Sequence, residues 1–223
     1  MLALAVAGEP EGSWLIAERQ LDGRGREGRH WVSPTGNYHG STLVRLRSDD
    51  PPAATLALVA AVATWDAIVA LPGSVGLREA MRIKWPNDLT IEGAKLAGML
   101  LERTDRAVVI GLGVNLVRHP DAVDRPTTTL VAHGVQIGPE GFAEVVRDAM
   151  RRWLIRWRTE GLAAIIPSWL RRAHPVGTAL TVRPPHAAPV DGLFDGLDRD
   201  GALCLRLAGG ERRVIHAGDV FVL

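Results

Sequence analysis

The stretch DGRGREGRHWVSPTGN, residues 22–37, sets three glycines and three arginines into the seven positions from Gly23 to Arg29. Glycine lets a backbone come close to a ligand and adopt φ > 0 conformations that side chains forbid. Arginine adds a permanently charged fork of donors that matches carboxylate and phosphate oxygens. Interleaved, the two describe either a mobile cover whose guanidiniums close over an anion, or an exposed flexible loop whose arginines do nothing. Trp31 follows at once, an expensive residue to leave beside an idle loop. A Walker loop is ruled out because the closing Gly-Lys-Ser/Thr is absent.

Outward from this segment, LIAERQ (15–20) and STLVRLR (41–47) read as flanking strands, and RIKW (82–85) and AVVIGLGVNL (107–116) as two more. LTIEGAKLAGML (89–100) reads as a hairpin turning at Glu92–Gly93. The apolar run at 53–71 follows Pro51–Pro52 and carries Thr64 and Asp66, which suits a buried core helix better than a membrane span. A helix is expected over about 140–159, with Phe142, Val145, Val146, Ala149, Met150, Trp153, Leu154 and Trp157 on one apolar face and arginines on the rest. A shorter helix over 162–173 is expected to be interrupted at its start by Pro167. From about Val176 the character shifts to some five short strands with turns at Asp200–Gly201 and Gly209–Gly210, compatible with a small barrel. The expected fold class is therefore α+β, a mixed-sheet domain over 1–174 followed by a small β-barrel over 175–223.

The 223 residues are 47% apolar and carry a net charge of +1, which speaks against a grip on long nucleic acid. One cysteine, Cys204, excludes a disulfide framework within the chain. MLALAVAG at the start lacks the basic flank of a secretion signal, so a cytoplasmic location, with no membrane contact, is expected.

Three further clusters carry chemistry. In IKWPNDL (83–89), Lys84 and Asp88 bracket a Trp-Pro-Asn turn; Asp88 could hold Mg²⁺ alongside phosphates, or the segment could be an ordinary turn. In KLAGMLLE (95–102), a two-residue turn at Glu92–Gly93 would pair Lys95 with Thr90 and bring it within reach of Asp88, while Gly98 clears space. In VIGLGVNL (109–116), Gly111-x-Gly113 invites a dinucleotide reading, but Leu116 stands where the third glycine belongs and no helix signal follows. Asn115, an amide in an apolar run, needs partners such as an adenine edge or backbone.

Taken in order, GRGREGRHWVSPTGN, KWPNDL, KLAGMLLE and GLGVNL resemble the four signature blocks of biotin–protein ligases, and the tail DGALCLRLAGGERRVIHAGDV resembles that family's small C-terminal barrel. The resemblance spans nearly the whole chain. It implies an ATP-dependent enzyme that activates biotin to biotinyl-5′-adenylate and transfers it to a lysine of a biotin carboxyl carrier domain of an acyl-CoA carboxylase. It further implies that Arg24 and Arg26 neutralise phosphate and carboxylate oxygens, that Lys95 touches the reacting centre, and that Asp88 with Mg²⁺ orients ATP. Gln20 and Gly23 would line the biotin pocket, Trp31 and Asn115 would contact the adenylate, and Gly25, Lys84, Asn87 and Gly98 would complete the binding site. The family opens with a strand ending in a Ser/Thr-Asn segment that contacts biotin. Only 22 residues precede Gly23 and none matches that segment, so the expectation is a natural start upstream of Met1. With no helix-turn-helix extension, operator binding is not expected. A lipoate-type ligase, a truncated inactive ligase and a non-catalytic nucleotide-binding or nucleic-acid-binding module are the competing readings; monomer and homodimer both remain open.

Overall fold

In the computed structural model, residues 1–120, 126–185 and 187–223 are described. A short helix α1 (Leu2–Val6) leads into β1 (Trp14–Ile16) and β2 (Tyr38–Arg45). There follow α2 (Leu56–Val69), the single turn α3 (Leu77–Ala80), and β3 (Met81–Lys84), β4 (Asp88–Ile91), β5 (Ala94–Arg103) and β6 (Ala107–Val114). Helices α4 (Pro139–Glu160) and α5 (Leu162–Leu170) precede β7 (Ala179–Arg183), β8 (Val190–Leu197), β9 (Leu203–Arg206), β10 (Arg212–Ile215) and β11 (Asp219–Val222).

The first six strands form one antiparallel sheet in the order β1-β2-β6-β5-β4-β3. Its two faces follow from alternation along β6. Val108, Ile110, Leu112 and Val114 enter the core with α2, α4 and α5, while Val109, Gly111 and Gly113 point to the opposite side and line a cavity. Buried on nearly every side, α2 satisfies its polar residues internally: Thr64 Oγ1 donates to Ala60 O at 2.8 Å. Asp66 accepts from Trp153 Nε1 and Arg172 Nη2, both at 2.8 Å. No helix among the described residues is long and apolar enough to cross a membrane.

The sequence-expected β1 is shorter and earlier than 15–20, because Ser33 draws residue 20 away from the sheet: Gln20 N donates to Ser33 Oγ at 2.9 Å and that hydroxyl donates to Gln20 O at 3.2 Å. Pro167 lies inside α5, past its middle, instead of interrupting its start; its missing N–H removes one intrahelical bond. The last five strands form an open sheet, β10-β9-β8-β7-β11, not a closed barrel. Closure would need β10 beside β11, but β11 turns toward the first sheet, where Val220 O accepts from Lys84 Nζ at 3.2 Å.

Candidate active site

The glycine–arginine segment folds as a hairpin. Trp31 N donates to Gly23 O at 2.8 Å, Gly25 N donates to Arg29 O at 2.7 Å, and Arg24 bridges His30. The turn at its tip uses positive φ at Glu27 (57°) and Gly28 (71°), the second at no steric cost. Gly23 does not line the cavity, contrary to expectation. A Cβ there would stand 2.5 Å from Trp31 O and 2.9 Å from Gln20 Oε1, so its bareness lets the hairpin base close beneath Gln20.

Across the cavity, Lys84 closes β3 and pairs directly with Asp88, which opens β4 after the Trp-Pro-Asn turn. Glu92 and Gly93, at φ 51° and 82°, make the two-residue turn into β5, and Lys95 pairs with Thr90 as the sequence reading required. A bulge between Leu89 and Thr90 decides which side Lys95 takes. Gly98, Leu100 and Glu102 face the cavity; strict alternation would put Leu96 on that side and Lys95 in the core, and the bulge reverses the two. Lys95 Nζ then lies 2.5 Å from Asp88 Oδ1, and Lys84 Nζ lies 3.7 Å from Oδ2. The carboxylate side chain is only 6% exposed and both ammoniums under a fifth, so a buried acid is flanked by two bases with one positive charge in excess. Asn87 staples this turn to β5, donating from Nδ2 to Met99 O at 2.5 Å while its own carbonyl accepts from Met99 N at 2.9 Å.

The cavity measures about 550 Å³. Its floor is a cross-strand pair of glycines, Gly98 and Gly113, on which the Trp31 indole rests. A Cβ on Gly113 would come within 2.3 Å of that ring and one on Gly98 within 3.2 Å. Lys95 Nζ stands 5.3 Å from the ring centroid, in cation–π range. Gln20, Gly25, Arg26, Lys84, Asn87 and Asn115 also border this space. Arg24 borders it from the rim, where its guanidinium, 63% exposed, pairs with Asp22 at 2.6 Å. Arg26 is drawn to the C-terminal sheet, donating to Gly218 O at 3.2 Å and standing 3.6 Å from Asp219, to which Arg29 donates at 2.8 Å.

Two groups of residues were not foreseen from sequence. Asp219, Val220 and Phe221 on β11 line the cavity, brought there from some 190 positions away. Asn37, fully buried, accepts at Oδ1 from the backbone N–H groups of Leu116, Val117 and Arg118 at 3.0–3.1 Å and donates to Arg118 O at 2.7 Å. It thereby fixes the turn after β6 beside Asn115, whose Nδ2 donates to Thr128 O at 3.2 Å. Position 37 closes the quoted glycine-rich stretch, and a buried amide was its only signal.

Among the described residues no group of three or more His, Cys, Asp or Glu gathers to hold a metal ion. Asp88 already faces two ammonium groups, which offset its charge toward a bare divalent cation; a cation that arrives with phosphate oxygens suits these residues better.

A six-stranded sheet with α2, α4 and α5 on one face, a glycine-floored groove on the other, a lysine–aspartate–lysine cluster at the groove and an arginine hairpin over it define an anion-handling scaffold. The model of the Biotin/lipoate A/B protein ligase family matches residues 4–115, and that of the Biotin protein ligase C terminal domain matches residues 187–223. A biotin–[acetyl-CoA-carboxylase] ligase of Paracoccus denitrificans is 39% identical over 98% of this chain and 94% of that protein. One of Mycobacterium tuberculosis is 34% identical over 99% of this chain and 83% of that protein. The structure of the biotin protein ligase of Aquifex aeolicus, in complex with biotin and ATP, superposes with a TM-score of 0.86 at 21% identity, covering all of this chain and 94% of that one. The chain belongs to the biotin/lipoate protein ligase family.

Proposed function

We propose that the chain is an ATP-dependent biotin–protein ligase with two domains, a catalytic one over 1–174 and a C-terminal one over 175–223. The observation that carries this reading is the buried Lys84–Asp88–Lys95 cluster facing the Trp31-covered glycine floor. In the first step the biotin carboxylate attacks the α-phosphorus of MgATP and pyrophosphate leaves. Two anions must approach each other, so fixed cations nearby lower the barrier. Lys95 stabilises the oxygens shared by carboxyl and phosphate, Arg26 and Arg24 neutralise the remainder from the hairpin, and Lys84 faces the departing phosphates. Mg²⁺ belongs to this step as part of the nucleotide substrate.

In the second step the neutral amine of a carrier lysine attacks the acyl carbon, the bond to the phosphate oxygen breaks, AMP departs and the ammonium proton is lost. Asp88 orients Lys95 and, as the carboxylate nearest that centre, is the group placed to accept the proton. Trp31 and Asn115 enclose the adenylate, and Gln20 and Gly25 close the biotin end. The hairpin excludes water from a hydrolysable anhydride. The acceptor is a biotin carboxyl carrier domain of an acyl-CoA carboxylase, and the reaction takes place in the cytoplasm, where ATP and that carrier meet.

Incubating the chain with biotin, MgATP and an apo carrier domain, then weighing the carrier, tests this reading. A biotinyl mass gain is expected, and lipoate in place of biotin should give none. An unmodified carrier with no biotin-dependent pyrophosphate exchange would overturn it.

A further inference from the structure

The basic residues of this chain are 24 arginines and two lysines, Lys84 and Lys95. Both lysines sit in the cluster around Asp88, under a fifth exposed. The thiol and phenol side chains are equally withdrawn. The one cysteine, Cys204, and the one tyrosine, Tyr38, are both 0% exposed. Burial pushes the Cys204 thiol and the Tyr38 phenol above their ordinary values, which keeps both protonated. Imidazoles remain, but acyl-imidazoles hydrolyse.

An acyl-adenylate discriminates between these groups by the supply of neutral nitrogen. At neutral pH about one lysine in a thousand is uncharged, against about one arginine in a hundred thousand or fewer. A surface whose side-chain cations are all arginine keeps its charge while presenting almost no side-chain amine to an escaping anhydride. The two lysines that remain stand where a compact ammonium beside a carboxylate is needed. Lys95 is directed at Asp88, and Lys84 at Asp88 and Val220 O.

We propose that, the α-amine apart, the outer surface of this ligase is refractory to side-chain acylation by its own activated biotin, because both lysines lie in the active site and the one thiol and the one phenol lie in the core. The inference rests on the biotin-ligase reading above. The excluded reaction is attack of a neutral side-chain nitrogen on the acyl carbon, with AMP leaving and one proton released to water. The exclusion follows from chemistry alone, however the composition arose.

The test uses the full chain without carrier, incubated either with biotin and MgATP or with preformed biotinyl-5′-adenylate, followed by intact-mass measurement and peptide mapping. Two variants accompany it. Arg103→Lys places an amine at the exposed last position of β5, and Arg199→Lys places one on a turn of the C-terminal sheet where the side chain is 94% exposed. With preformed adenylate, each variant should gain biotin at its new lysine at least about a hundredfold above any side chain of the parent, in line with the difference in neutral nitrogen. Biotin on a side chain of the parent at a level near the variants, or variants that stay unlabelled, would overturn the proposal. The preformed reagent needs no catalysis. A chain that failed to make its own adenylate would therefore refute the ligase reading while leaving this comparison decisive.

Discussion

Lys95 Nζ lies 2.5 Å from Asp88 Oδ1, at the point where the proposed mechanism brings carboxyl and phosphate oxygens together. Replacing it with an amide of similar reach removes the charge and keeps the packing. Lys95→Gln should lower biotin-dependent pyrophosphate exchange by about 10²–10³-fold, the usual cost of losing one oriented stabilising donor, with circular dichroism unchanged. Gly113 gives a steric counterpart. Its Cβ would overlap the Trp31 indole at 2.3 Å, so Gly113→Ala should lift the ring from its seat. A red shift of the tryptophan emission together with weakened adenylate binding is expected; an unchanged spectrum with full activity would contradict the seat. Both residues could be singled out in the sequence, Lys95 through its place after a two-residue turn and Gly113 through its spacing from Gly111. That Gly113 serves an indole, and not a dinucleotide, depends on Gly98 arriving opposite it from another strand.

Among the elements, the arginine hairpin and β11 act on each other. Arg29 donates to Asp219 at 2.8 Å and Arg26 to Gly218 O at 3.2 Å, so the tip is held by a strand of the second sheet. Asp219→Ala should raise the dissociation rate of biotinyl-5′-adenylate, and Arg26→Gly should do so more strongly, measured by release of labelled intermediate; an unchanged rate in both would exclude this hold. The N-terminal segment is fixed by a second ionic knot. Arg158 on α4 donates to Glu11 at 2.6 and 2.8 Å and to Asp50 at 2.9 Å. Burial alone would raise the Glu11 carboxyl, but the hydrogen bonds from Arg158 and the Arg45 N–H, with the nearby positive charges, bring it below the ordinary carboxylate value. With the folded value lowered, the unfolded chain binds the extra proton. The Glu11 contribution is therefore complete above about pH 4.5 and is lost as the pH falls through the lower folded value. Glu11→Gln should flatten the acid limb of the stability curve, and Arg158→Met should cost about 2–4 kcal/mol in denaturant unfolding by leaving two carboxylates without their partner.

For the whole molecule, the two sheets meet at the functional motifs. Lys84 donates to Val220 O, Arg26 to Gly218 O, and Trp85 Nε1 to Gly201 O at 3.3 Å. The C-terminal sheet thus forms one wall of the cavity and is bonded directly to Lys84 and the hairpin. The sequence by itself determined the local chemistry of this protein: the turn at Glu92–Gly93, the buried α2, the glycine–arginine segment and the Lys84, Asp88 and Lys95 triplet are all set by residue type and short-range spacing. Only the tertiary structure decided which face Lys95 takes, that Gly23 supports the hairpin without meeting the cavity, that Asn37 anchors the turn beside Asn115, and that Asp219 reaches the arginines. A bulge of one residue inverts the facing of every side chain beyond it, and a contact across some 190 residues leaves no periodic mark in either partner.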